Sequence, residues 1–406
     1  MGEVLISGAS VAGPALAFWL QRYGFEPTVV ERAPSVREGG QAIDLRGVAR
    51  EAVERMGIME DVRRAHTGAR GMAMVDGTGK RLASMGADLL GDSGGAIAEI
   101  EILRGDLVRI LHEATRDGVE YVFGDSIAAI SQHEGGVEVA FVRGKTRTFD
   151  LVVGADGLHS NVRGLTFGDE SRFVRDLGAY VAIFSAPNRL VLDGWELMHS
   201  APPGKTVGLY PVRNGAEAKA MFYFASEPLD YDRRDVGRQK DLLSEAFSGV
   251  GWEVPRLLDA MRDAPDFYFD RVCQVLMDGW TSGRMVLVGD AAYCPSPMSG
   301  MGTSLALVGA YVLAGELATA DGDYRAAFGR YEKEMREYVR RGQEQVKGAS
   351  GFLLPKSRSQ VWLRNQAIRM LPYIPRKGLI AGGVQKAANA ITLKDYPPSR
   401  QHSGVG

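Results

Sequence analysis

Apolar positions come in uninterrupted blocks at the front of the chain. Val4-Leu5-Ile6 meets the small-residue turn Gly8-Ala9-Ser10-Val11-Ala12-Gly13, which opens into Pro14-Ala15-Leu16-Ala17-Phe18-Trp19-Leu20. A second apolar run, Thr28-Val29-Val30, closes on Glu31. Strands without polar alternation are those covered on both faces, as in a parallel sheet. The order predicts strand, tight turn, helix, strand and acid. The same block recurs twice. Leu151-Val152-Val153 empties into Gly154-Ala155-Asp156-Gly157-Leu158-His159-Ser160, with Arg163 close behind. Met285-Val286-Leu287-Val288 empties into Gly289-Asp290-Ala291-Ala292, then Pro295, Pro297, Gly300 and Gly302.

Between these blocks the pattern changes. Ala42–Leu45 and Glu99–Leu103 read as short strands, Ala49–Met56 as a helix stopped by Gly57, and Met72–Met85 as a hairpin around Gly77-Thr78-Gly79. Asp106 is placed to cap the next helix, which ends at Gly118. From Val119 to Phe149 short strands and turns predict an antiparallel meander. Leu177–Ala225 is again strand-like, broken at Pro187, Pro202-Pro203-Gly204 and Asn214-Gly215. Helices are expected over Asp241–Phe247, Pro255–Arg262 and Leu305–Leu317, then a charged one beyond Asp323 to about Val346. The tail ends in a loose Pro397-Pro398-Ser399 segment.

The first turn has a chemical reading. Gly8 permits the turn, Gly13 lets helix and strand approach, and the helix N-terminus offers free N–H groups to a pyrophosphate. Glu31 lies 31 − 8 = 23 residues after Gly8, where a carboxylate meets a ribose hydroxyl. Ser10 replaces the usual middle glycine. This is a dinucleotide socket. Three strand-end motifs in one chain spread ligand contacts along the whole sequence, more than a single nicotinamide socket needs.

Composition narrows the classes. The 406 residues are too many for one ordinary core. A net charge of −2 offers no basic field for nucleic acid. Only Cys273 and Cys294 occur, without C-x-x-C spacing, so no disulfide framework or metal site is expected and a reducing cytoplasm is. No apolar stretch reaches membrane-spanning length, and the N-terminus lacks the basic region of a signal peptide.

Together, Gly8…Gly13…Glu31-Arg32, Arg104-Gly105-Asp106-Leu107, Gly154-Ala155-Asp156-Gly157…Arg163 and Gly289-Asp290-Ala291-Ala292…Pro297…Gly300-Met301-Gly302 resemble the class A flavin monooxygenases, relatives of p-hydroxybenzoate hydroxylase. The likeness covers roughly residues 1–325, and Gly39-Gly40-Gln41-Ala42-Ile43-Asp44-Leu45 resembles the tetracycline-inactivating branch. The resemblance implies an α/β fold: a Rossmann-like FAD-binding domain with a parallel sheet (1–70, 95–176 and 275–325), a mainly antiparallel substrate domain (71–94 and 177–274) and C-terminal helices (326–406). It implies FAD as cofactor and NAD(P)H as co-substrate. A flavin C4a-hydroperoxide would hydroxylate an aromatic or polyketide-like small molecule.

The implied cofactor contacts are Gly8, Ser10, Val11, Ala12 and Gly13 with Glu31 and Arg32 at the ADP half, then Asp44, Arg104, Asp156, Gly157 and Asp290. Pro297, Gly300, Met301 and Gly302 would lie beside the isoalloxazine. Arg37 and Arg46 are either phosphate or ring contacts or solvated surface arginines. Tyr293, Met301 and Ser304 depart from the histidine, glutamine and asparagine common at these positions. Substrate contacts are expected from the Leu177–Ala225 sheet, with His199, Tyr210, Arg213 and Tyr223 as candidates. That stretch has no match to the drug-contacting glutamine and arginine of tetracycline inactivators, so their substrate is not carried over. A monomer or a homodimer fits equally. A reductase or halogenase on the same scaffold, or a flavin-binding regulator, stays open; no W-x-W-x-I-P halogenase segment occurs.

Overall fold

The computed structural model describes residues 2–37, 39–86, 100–373 and 378–396. The expected boundary at 94/95, Glu99, and the Pro397-Pro398-Ser399 segment lie outside the described residues.

The three apolar blocks are neighbours. Glu3–Ser7 runs parallel to Leu151–Gly154 on one side and to Glu26–Glu31 on the other, and Leu151–Gly154 runs parallel to Met285–Leu287. Their registers pair Ser7 with Gly154 and Gly154 with Leu287, so all three strands deliver their turns to one sheet end. The helix Ala12–Arg22 covers one face and packs on Gly302–Ala318. That second helix is buried around nearly its whole circumference, as its unbroken apolar sequence requires. Val4, Leu5, Ile6, Val152, Val153 and Val286 are almost wholly buried.

The meander needs correcting at its start. Glu120–Phe123 pairs parallel with Glu26–Glu31 and forms the sheet edge. The helix Arg104–Glu113 carries the chain across the sheet, and a crossover of that kind delivers a parallel strand. Only Ile127–His133, Gly136–Phe141 and Arg147–Phe149 form the antiparallel unit. Asp106 is also not the cap. The helix starts at Arg104, whose N–H is already bonded to the Gln41 carbonyl, and Asp106 sits in its first turn.

A second sheet has seven strands, ordered Tyr268–Val275, Val174–Ala186, Glu217–Ala225, Lys205–Val212, Trp195–Ser200, Gly71–Val75 and Arg81–Gly86. Neighbours are antiparallel except Trp195–Ser200 against Gly71–Val75. One face buries Phe184, Val207, Leu209 and Phe222 against the helices Val236–Ala246 and Val254–Met261. The other face carries Met198, Met221 and Tyr223. The long C-terminal helix Tyr324–Glu344 begins at Asp323, whose carboxylate accepts from the Arg325 and Ala326 amides.

Candidate cofactor and substrate cleft

The first turn is closed by contacts that only glycine allows. A Cβ built on Gly13 would lie 1.9 Å from the Gly8 carbonyl oxygen, and one on Gly8, at φ +108°, 2.5 Å from that of Ala155. Glu31 stands across the turn: one oxygen accepts from the Ala9 N–H at 3.0 Å and the other from the Ala33 N–H at 2.8 Å. The helix Ala12–Arg22 has neither a side-chain cap nor an acid in its first turn. Its positive end is left for an anion. Gly302–Ala318 begins the same way. Val11 and Ala12 bury their side chains, leaving backbone alone to face a ligand, whereas Ser10 is half-buried. Arg32 is exposed at the strand end.

Asp156 is differently employed. Its carboxylate accepts from the Asn161 and Val162 amides at 2.9 and 3.1 Å, and from the Ser160 and Ser7 hydroxyls. It organises the start of the helix Asn161–Phe167 and so shapes the Gly157 turn. Burial pushes its pKa up against those hydrogen bonds. Arg163 is wholly buried and donates to the Ala291 carbonyl at 2.9 Å and the Leu158 carbonyl at 2.6 Å. It therefore fastens the Asp156 loop to the Asp290 loop.

Asp290 keeps an exposed surface, yet burial raises its pKa and Arg104 acts against that rise. Open surface combined with strong desolvation marks a group lining a deep cleft. A Cβ on Gly302 would lie 3.7 Å from Asp290, and one on Gly300 3.8 Å from Asp44. Asp44 bonds Arg46 at 2.8 Å, and Arg46 is buried rather than a solvated surface arginine. Pro297 is exposed in this loop. The Met301 side chain is fully buried, and the neighbouring Gly342 faces it from the C-terminal helix. Tyr293 is also a core residue, bonded at 3.0 Å to Tyr331 and packed on Gly309.

The second sheet supplies the facing wall. Tyr210 is buried and accepts from the Ala42 N–H at 3.2 Å; Tyr223 packs beside Met298 of the Pro297–Ser299 turn. Burial raises both phenols, so both stay neutral. His199 and Arg213 need correcting. Alternation turns His199 to the opposite face, 5.7 Å from the Trp252 ring, with Nδ1 3.3 Å from the Val75 carbonyl. Arg213 is exposed at the hairpin end, 3.7 Å from Glu217. It lines a separate surface cavity of about 390 Å³ with Asp61, Arg64, Asp106, Arg109 and Glu113, walls suited to water rather than to an apolar ring.

Sequence reasoning missed three groups. Glu196 sits two residues before the inward-facing Met198, and a Cβ on Gly208 would lie 3.3 Å from its carboxylate. Burial, then the charges of Glu101 and Asp44, push it up to about 8. Glu101 pairs across from Asp44 and accepts from Thr67 at 2.7 Å; burial and Asp44 raise it as well. Tyr268 is 43% exposed, yet burial lifts its phenol well above the ordinary value, with Arg104 and Asp290 among its charged neighbours. Strand parity was the available signal for Glu196; for Glu101 and Tyr268 the signal is three-dimensional only.

The geometry fits FAD: a glycine cradle that any Cβ would fill, two uncapped helix starts for anionic groups, and one acid at the ribose position. The family described as an FAD binding domain matches residues 1–341. A flavin-dependent monooxygenase from an unknown prokaryotic organism is 43% identical over 97% of this chain and 99% of its own length. The crystal structure of tetracycline destructase Tet(55) is 42% identical, with a TM-score of 0.82 over 97% of this chain and 98% of that one. That of tetracycline destructase Tet(51) is 37% identical, with a TM-score of 0.84 over 98% and 99%.

Proposed function

The chain belongs to the FAD-dependent monooxygenases of class A, and from that premise we propose that it hydroxylates a fused-ring aromatic or polyketide-like small molecule, with tetracyclines the first compounds to test. FAD is its cofactor and NAD(P)H its co-substrate. Bound flavin supplies the oxygen activation; protein groups bind, orient and keep water out.

Gly8 to Gly13 and the start of Ala12–Arg22 would hold the pyrophosphate, with Glu31 at the adenosine ribose. Asp290 and Arg104 would serve the middle of the cofactor, and Pro297 to Gly302, with Asp44 behind Gly300, the ring system. The observation that carries the substrate reading is the facing wall. Met198, Tyr210, Met221 and Tyr223 are flat or pliable apolar surfaces, and among them Glu196 stands protonated at neutral pH. A neutral carboxyl group donates a hydrogen bond to a ketone or enol oxygen without the desolvation cost of a charge. Such an oxygen-bearing ring system is what this wall fits.

Two free, buried cysteines suit a reducing cytoplasm. No helix among the described residues is long and apolar enough to cross a membrane. We place the enzyme in the cytoplasm as a monomer or homodimer.

The test is direct. Purified protein should be yellow or become so with FAD, consume NADPH faster when a tetracycline is added, and return a product heavier by one oxygen atom. Colourless protein that cannot be loaded with FAD overturns the reading; a product gaining only hydrogens would make it a reductase.

A further inference from the structure

Oxygenation takes up NAD(P)H, O2, substrate and one proton, and returns NAD(P)+, hydroxylated product and water. Each turnover therefore draws one proton from solvent into a cleft that must otherwise stay dry. The contacts described above offer no path for it.

A path is visible elsewhere. The Tyr268 hydroxyl donates to Asp270 Oδ2 at 3.3 Å, and the same oxygen lies 3.0 Å from His159 Nε2. His159 Nδ1 lies 3.0 Å from Glu170 Oε2. Glu170 then reaches Arg233, whose side chain is half exposed, at 3.5 Å. Tyr268, the other end, is exposed, with Arg104 and Asp290 among the charges near it. The groups come from three elements: the strand Tyr268–Val275, the turn after Leu151–Gly154, and the short helix Glu170–Arg172.

We propose that Glu170, His159, Asp270 and Tyr268 carry a proton from the protein surface to the cofactor cleft, with Tyr268 as the delivering group. This rests on the monooxygenase reading but not on any particular substrate. The imidazolium gives its Nε2 proton to Asp270. The Tyr268 hydroxyl then turns its hydrogen toward the cleft and releases it there as its oxygen accepts the proton from Asp270; His159, left with hydrogen on Nδ1 and a lone pair on Nε2, flips its ring so that the lone pair meets Glu170 and takes up the next proton from that side. Burial alone would depress the imidazole, but Asp270 and Glu170 override it and raise its pKa, so the ring keeps its proton to higher pH than an ordinary imidazole. The charged and titratable groups around the line include Arg163, Arg233, Arg104 and Asp290, with Tyr231, Arg271, Asp176, Cys273 and Cys294 packed near its members. A mere ion-pair clamp between His159 and its two carboxylates would have no use for the tyrosine.

Tyr268→Phe separates the two roles, because it leaves every charge of the clamp in place. FAD-loaded enzyme is reduced, mixed with O2 without substrate, and its reoxidation to FAD and H2O2, which also consumes one proton, is followed by absorbance across pH. His159 is titrated separately by NMR in FAD-free protein. The wild-type rate should inflect above pH 6.5, where His159 titrates. In Tyr268→Phe the inflection should vanish and the rate below it fall about tenfold or more, while the His159 titration and FAD affinity hold. His159→Gln should lose the inflection too, and imidazole in the buffer should restore part of its rate. An unchanged inflection in Tyr268→Phe, or none in the wild type, overturns the proposal alone. Protein that takes up no FAD sinks the monooxygenase reading first, before any rate is measured.

Discussion

The two walls of the cleft are made of different material. The cofactor wall is mostly backbone: glycines at van der Waals limits, uncapped helix starts and carboxylates that hold turns. The wall proposed for the substrate is side chains, carried on one face of a sheet whose other face is packed under helices. A backbone-built wall tolerates no addition at a few positions and is nearly indifferent elsewhere. A side-chain wall can change its ligand by exchanging residues without disturbing the fold.

The largest expected effect tests that intolerance. Gly13→Ala places a Cβ against the Gly8 carbonyl, which has no rotamer to swing away. FAD retention should be lost and the melting temperature should fall sharply, read by the flavin spectrum and calorimetry. Glu31→Ala comes next. It removes two charge-assisted hydrogen bonds, each worth about 1.5–3 kcal/mol, and should weaken FAD binding by about tenfold to a hundredfold in a fluorescence titration.

On the other wall, Glu196→Gln should act through pH. The ordinary glutamate value is 4.5 and the folded value about 8. Between those limits the unfolded chain has already released a proton that the folded chain keeps. Stability from this group is therefore full below 4.5, declines as pH rises, and is wholly lost above about 8. The amide cannot ionise, so the variant should melt higher than wild type at pH 8.5 and match it near pH 4. Substrate affinity in the wild type should fall as pH passes about 8, and the variant should flatten that fall. The smallest effects belong to the two residues turned away from the cleft. Arg213→Ala should change stability by under about 0.5 kcal/mol and His199→Ala by about 1 kcal/mol, with KM unchanged in both; a several-fold rise in KM for either would reverse their assignment.

The contrast also explains what could be read from the chain. Gly8, Gly13, Glu31, Asp156 and Asp290 are short-range signals, each sitting where an apolar strand ends, and the parallel pairing of those strands brings them to one sheet end. Glu120–Phe123 was misassigned because pairing partners depend on where a helix returns the chain, not on the strand's own residues. His199 and Tyr223 are both ring-bearing residues on predicted strands, and only register separates the one against Trp252 from the one beside Met298. Glu101 and Tyr268 take their importance from charges brought near them by folding, and nothing in their sequence neighbourhood announces it.

Arg163 has a consequence for anyone building chimeras of this scaffold. Its guanidinium is spent on main-chain oxygens at Leu158 and Ala291, in segments more than a hundred positions apart. Homologous stretches transplanted from a donor protein would have to travel as a matched set. Replacing either one by itself shifts a carbonyl that this buried cation needs, and such a hybrid should lose stability before its new specificity can be assayed.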